Sequence, residues 1–281
     1  MPIPPENDCR VFKVSSGKHL FIDVCDDAGK DAPALIFMHG LGSSTSFYEA
    51  PLSSSRLKQH FRLIRYDFDG HGLSPVSSLD AADEAGMLSI EDLAEDLNAV
   101  IEWAGCSKVA GVVGHSMSGL VASTFAARYP EKVNKLVLLG AMRALTPEVQ
   151  SNMLKRAHTV MEHGVSAVVQ QVVASALSDR SRRDSPLSGA MVRTLVLGTK
   201  PEGYAAACRA LAGASDPDYG AIKAETLVIA GEHDYLSNAA TSDHLCAHIP
   251  RAEKVQMDGV GHWHAVEDPF RLREILEGFF L

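Results

Sequence analysis

The chain has 281 residues, 46% hydrophobic and 22% charged, enough for one large α/β domain carrying an insertion or for two domains. With 26 Lys and Arg against 35 Asp and Glu the formal charge is −9, and no Lys/Arg run forms a phosphate-binding face, which argues against nucleic acid as a partner. No apolar stretch reaches the length of a membrane span and Met1–Arg10 lacks the apolar core of a signal peptide, so a cytoplasmic protein with no membrane partner is expected. In chain order, Val11–Val14 and His19–Cys25 read as the two strands of a hairpin turned by Ser15-Ser16-Gly17-Lys18. Ala34–Met38 is a continuous apolar run, the pattern of a strand buried on both faces. Phe61–Tyr66 is the next predicted strand. Ser89-Ile90-Glu91-Asp92 is a near capping box for a helix whose Leu93, Leu97, Val100 and Ile101 share one face and which Gly105 closes. Val109–Val113 is a buried strand, Leu120–Tyr129 an Ala-rich helix, and Val133–Leu139, Thr226–Ala230 and Lys254–Met257 are further strands. Asp268-Pro269 opens the last helix, with Pro in its first turn. Strands alternating with helices predict an α/β fold, a mostly parallel sheet with helices on both faces. The five cysteines, Cys9, Cys25, Cys106, Cys208 and Cys246, are odd in number and scattered, as expected for reduced thiols.

The alternation stops between Ala141 and Ala224. This stretch has helical patterning, and Val192–Leu197, though strand-like in composition, has helical neighbours and is read as helix. The expected organisation is a core of residues 1–140 and 225–281 with a helical cap, or lid, over 141–224. Such an insertion would cover the carboxyl ends of the strands, where open α/β sheets bind ligands. Met142, Met153, Met161, Tyr204 and Trp263 are the expected apolar walls of that pocket. Trp263→Ala is expected to change substrate preference more than stability.

The chemistry centres on Gly114-His115-Ser116-Met117-Ser118-Gly119, set between a buried strand and a helix. That context is the nucleophile elbow, G-x-S-x-G in general form, in which small neighbours let the serine stand above the sheet edge. A serine needs a base to take its proton and a carboxylate to hold that base in the right tautomer. In this strand–turn–helix setting the chain order is Ser, then Asp or Glu, then His. Asp234, after the Leu227–Gly231 run, and His262, in Asp258-Gly259-Val260-Gly261-His262, fit that order. Glu232 and Asp258 are competing acids, and His233 and His264 competing bases. The oxyanion of acyl transfer needs backbone donors. The N–H of Met117, directly after the nucleophile, is one, and Leu41, in the loop His39-Gly40-Leu41-Gly42, is the best second donor. Asp67, Asp69 and His71 lack a companion cluster with ligand spacing, so turn chemistry accounts for them better than a metal. No phosphate-binding glycine motif is present, and no cofactor is expected.

Taken together, the motifs resemble the α/β-hydrolase superfamily from Val11 to Leu281. They run His39-Gly40-Leu41-Gly42, Tyr66-Asp67-Phe68-Asp69-Gly70-His71-Gly72-Leu73-Ser74, the serine elbow, Gly231-Glu232-His233-Asp234 and Gly259-Val260-Gly261-His262. Lys200–Leu211, followed by Thr226–Gly231, is similar to a stretch of the 3-oxoadipate enol-lactonases and related lactone hydrolases. The resemblance implies the α/β-hydrolase fold, triad roles for Ser116, Asp234 and His262, and oxyanion roles for Leu41 and Met117. It implies a small-molecule ester or lactone as substrate. Three departures stand out: His39-Gly40 replaces the Asn-Ser usual in enol-lactonases, Asp69 stands where they have Arg, and Trp263-His264 follows the histidine. If Asp69 faces the pocket, uncharged acyl groups should be preferred over a dicarboxylate lactone. A carbon–carbon bond hydrolase, or a ligand receptor of the same fold with slow turnover, are the competing functions. Epoxide hydrolases and haloalkane dehalogenases of this fold use Asp where Ser116 stands.

Overall fold

The computed structural model describes residues 11–77 and 88–281; the Met1–Arg10 segment, with Cys9, lies outside them. Eight strands pair into one sheet: β1 (Val11–Lys13), β2 (His19–Cys25), β3 (Ala34–Met38), β4 (Arg62–Tyr66), β5 (Val109–His115), β6 (Val133–Leu139), β7 (Glu225–Gly231) and β8 (Ala252–Met257). Their spatial order is β1-β2-β4-β3-β5-β6-β7-β8. The β1–β2 and β2–β4 pairs are antiparallel and every later pair is parallel. Each predicted strand is present: His19–Cys25, Ala34–Met38 and Val133–Leu139 with the expected ends, the others with ends moved by one or two residues.

The unbroken apolar run of β3 lies between β4 and β5 and is buried along its whole length. Successive side chains of a strand face opposite ways. Ile36 and Met38 join a core that includes α2 (Ile90–Trp103) and α3 (Met117–Arg128). Leu35 and Phe37 join the other core, on the face that also receives α1 (Glu49–Ser53). The start of α2 carries the capping box in full: Ser89 Oγ accepts from Asp92 N at 3.0 Å and Asp92 Oδ2 accepts from Ser89 N at 2.9 Å.

Five helices lie between β6 and β7: α4 (Pro147–His163), α5 (Ser166–Ala176), α6 (Asp179–Asp184), α7 (Pro186–Leu197) and α8 (Pro201–Ala212). Val192–Leu197 is the end of α7, with Val192, Leu195 and Val196 buried at helical spacing. The remaining helices are α9 (Ala239–His248), α10 (His264–Glu267) and α11 (Pro269–Phe280), the last packing with α1.

The α4–α8 segment is fastened to the sheet at several points. Lys200 N donates to Gly70 O and Lys200 Nζ to Ser74 O, each at 2.8 Å. Gly70, at φ +67°, and Gly203 pack so closely that a Cβ on either would stand 2.6 Å from the other's Cα. Ser178 N donates to Glu267 Oε2 at 3.0 Å, and His262 N donates to Ala176 O at 2.8 Å. Among the described residues no helix is long and apolar enough to cross a membrane. Cys25, Cys106, Cys208 and Cys246 are free.

Candidate active site

Ser116 ends β5 and precedes α3 with φ 56° and ψ −119°, and among the described residues no other non-glycine has positive φ. Such a backbone is held only where its surroundings enforce it. The enforcing contacts are tight: a Cβ on Gly114 would stand 2.3 Å from Ser118 O, and one on Gly119 would stand 2.3 Å from the Ala141 Cβ. The last position of the G-x-S-x-G pattern is Ser118, and the required glycine is Gly119, one residue later. Ser118 is accommodated because its hydroxyl is used: Oγ accepts from His115 N and donates to Met38 O, both at 2.8 Å, tying the elbow to the end of β3.

Ser116 Oγ lies 2.8 Å from His262 Nε2, and His262 Nδ1 lies 2.8 Å from Asp234 Oδ2. All three residues are buried. The other carboxylate oxygen, Asp234 Oδ1, accepts from the N–H groups of Leu236 and Ser237 at 2.9 Å. Burial alone would raise the Asp234 carboxyl, but His262, His264 and the Ser237 N–H outweigh it and hold it below the ordinary aspartate range. The carboxylate therefore stays charged and keeps the His262 proton on Nδ1, leaving Nε2 free to accept from serine. The competing acids are elsewhere: Glu232, exposed, accepts from Gly259 N at 2.7 Å, and Asp258 is exposed. His233 is half-buried and faces Glu232, with 3.8 Å between Nε2 and Oε2.

Two further histidines hold His262 through its backbone. His115 Nε2 donates to His262 O at 2.8 Å and His264 Nδ1 donates to the same oxygen at 2.9 Å. The other ring nitrogen of each is buried without a partner, which fixes both tautomers. Burial pushes both imidazoles down in pKa, so both are neutral donors at neutral pH. Sequence reasoning weighed His264 only as a competing base and missed what the pair does, because a carbonyl acceptor leaves no mark in the sequence.

His39 fixes the loop after β3. Its Nε2 accepts from Phe68 N at 3.0 Å, so its Nδ1 carries the proton and donates to Gly40 O at 2.8 Å. Burial pushes this imidazole down to about 4. In a trans peptide the Leu41 N–H points opposite to the Gly40 carbonyl, so holding the one aims the other. The same loop abuts the elbow, since a Cβ on Gly40 would stand 3.0 Å from the Ser116 Cβ. Asp67 braces the turns beyond, accepting from Thr45 N at 2.6 Å and Leu73 N at 2.8 Å.

Above Ser116 is a cavity of about 240 Å³, with Ser116 and His262 in its wall. Of the five expected wall residues, Met142, Met153, Tyr204 and Trp263 line it. Met161 does not: it is 47% exposed. It follows Met153 by eight residues, which turns it about 80° round α4 and away from the cavity. Val149, Asn152, Met153 and Arg156, at helical spacing on one face of α4, are the residues that line it. Val149, Tyr235 and Leu236 are exposed and form its mouth.

Asp69 is not in the cavity wall. It is buried, with Oδ1 accepting from Ser77 N at 2.8 Å and from Ser77 Oγ at 2.6 Å. The reason for expecting an uncharged substrate therefore lapses. Trp263 is also core: it is 3% exposed and lies edge-on to Phe47, with ring centres 5.8 Å apart. Contrary to the sequence-based expectation, Trp263→Ala should cost about 3–5 kcal/mol of stability. Urea denaturation would read that as a lowered midpoint, and a loss below ~1 kcal/mol would place Trp263 outside the core.

Residues 33–269 match the family described as alpha/beta hydrolase fold, and the chain belongs to that family. It is 29% identical over 249 residues to 3-oxoadipate enol-lactonase 2 of Acinetobacter baylyi, covering 88% of each chain. It is equally 29% identical to a putative carbamate hydrolase RutD of Caulobacter segnis over 255 residues, 90% of this chain and 92% of the relative. Among solved structures, the enol-lactonase from Burkholderia xenovorans superposes with a TM-score of 0.85 at 26% identity, over 96% of this chain and 98% of that one. The chain thus shares its fold and family with enol-lactonases and putative carbamate hydrolases.

Proposed function

We propose that this protein is a serine hydrolase that cleaves a small carboxylic ester or lactone through an acyl-Ser116 intermediate. The observation that carries the reading is the unbroken Ser116–His262–Asp234 hydrogen-bond chain at the wall of a largely apolar cavity. His262 Nε2 takes the proton as Ser116 Oγ attacks the carbonyl carbon. Asp234, already charged, stabilises the imidazolium without taking the proton itself. The oxyanion is received by the N–H groups of Met117 and Leu41. Met117 opens α3, so its N–H has no acceptor within the helix. Each such donor is worth about 3 kcal/mol in the barrier. His262 then hands the proton to the leaving alcohol, which in a lactone stays attached to the acyl chain. Water, activated by the same imidazole, frees the acid. The helices of 141–224 act as the cap that shapes the substrate, and the four free cysteines accord with a cytoplasmic place of action.

A fluorophosphonate probe followed by peptide mass mapping tests the nucleophile, and a turnover screen over short-chain esters and lactones tests the reaction. One adduct on Ser116, together with turnover of at least one lactone or ester, is expected. Labelling without turnover across the panel would reassign the protein as a ligand receptor. Absence of both would remove the serine mechanism.

A further inference from the structure

The cavity over Ser116 contains one feature that ester chemistry does not use. Arg156 of α4 lines it, and no Asp or Glu does. Arg156 is half-buried, and among the described residues it forms no ion pair. Arg62, Arg65 and Arg143, half-buried elsewhere, each meet a carboxylate; Arg193, Arg209 and Arg273 are half-buried without an ion pair among the described residues, but none of them lines this cavity. The neighbour of Arg156 is neutral: the guanidinium charge acts on the phenol of Tyr204, itself a wall residue and 1% exposed. Tyr204 in turn packs on the loop after β3, since a Cβ on Gly42 would stand 2.7 Å from its Cε2. The guanidinium thus shares the cavity wall with a ring that borders the loop next to Ser116. Burial of the Tyr204 phenol pushes it up to about 12, so it offers no negative charge of its own.

A second cleft, against α5, shares Asn152 and Arg156 with the cavity and adds Lys155, Thr159 and Gln171, again without a carboxylate. A lane of positive charge therefore leads to the cavity in a protein whose net charge is −9. A half-buried guanidinium has lost water, and an arriving anion restores what it lost. We propose that Arg156 receives a carboxylate carried by the substrate, so that the preferred ester or lactone is an anion. The inference rests on the ester or lactone reading of the site. It places the recognising cation on α4, within the 141–224 segment.

The test compares kcat/KM for the mono-p-nitrophenyl ester of glutaric acid with that for p-nitrophenyl butyrate, in the wild type, Arg156→Gln and Arg156→Lys. The anionic-to-neutral ratio should fall roughly tenfold or more in Arg156→Gln, chiefly through KM for the anion, with Arg156→Lys in between. In the wild type the ratio should fall as salt rises. A ratio that moves less than about threefold in Arg156→Gln overturns the inference and leaves ester hydrolysis standing. Thermal shift with glutarate as the probe needs no turnover. Stabilisation of the wild type that Arg156→Gln loses supports the anion site even if neither ester is cleaved, a result that would sink the hydrolase reading alone. No stabilisation of either protein, with an unchanged ratio or no turnover, removes the anion site. Arg156→Lys, which keeps the charge, guards against misreading a folding defect.

Discussion

Ser116→Ala should lower kcat/KM for an aryl ester by roughly 10⁴–10⁶-fold while leaving the protein folded. Removing the nucleophile removes the covalent step, and the remaining oxyanion donors and binding contacts supply only a residual rate. The packing loss is small, because the change deletes one oxygen and one hydrogen bond, that to His262 at 2.8 Å. That bond is worth about 1 kcal/mol. Alanine inherits the strained φ of 56°, so the backbone cost is the same in both proteins. A variant that keeps more than a few per cent of the wild-type rate would show that another group carries the attack. Thermal melting of both proteins separates a lost nucleophile from a lost fold.

Asp234→Asn should be nearly as damaging, at about 10⁴-fold in kcat, for a different reason. The amide presents N–H to His262 Nδ1, which then has to act as acceptor. Its proton moves to Nε2, the atom that must receive the serine proton. The two backbone donors on Oδ1, Leu236 N and Ser237 N, are satisfied equally well by an amide oxygen, so the loop should hold its shape. Asp258→Asn is the control, since that side chain is exposed and makes no contact with His262 or Ser116. Steady-state kinetics on both variants decides the assignment: a mild Asp234→Asn with a crippling Asp258→Asn would transfer the acid role.

Much of this molecule can be read from the chain because its strongest signals are local. β3 and β5 are unbroken apolar runs, and a strand covered on both faces has to look like that. The Ser116–His262–Asp234 chain is legible through order and context, since each member follows a strand of the same half of the sheet, β5, β7 and β8, with only β6 between the first two. Other features depend on relations the chain does not record. α9 escapes periodicity because only Ser242 and Leu245 are buried along its ten residues, so no apolar stripe marks it. Arg156 looks like a surface residue among the polar positions of α4, and only the packing of α4 on α8 makes it part of the cavity wall. Met161 fails for the converse reason: methionine spacing gives composition but not azimuth. Asp69 shows the limit of a single-position comparison, since its carboxylate is spent on Ser77.

The hydrogen bond from His262 N to Ala176 O has a practical consequence for engineering. The His262 imidazole hangs from a loop whose own amide is anchored in the last turn of α5. A cap transplanted from a relative to change substrate range would have to present a carbonyl at that same point. Without it, the graft would loosen the base and be misread as a poor substrate fit. Swaps that begin after Leu177 keep this anchor and leave α7 and α8 open to exchange, with α4 and its Arg156 retained.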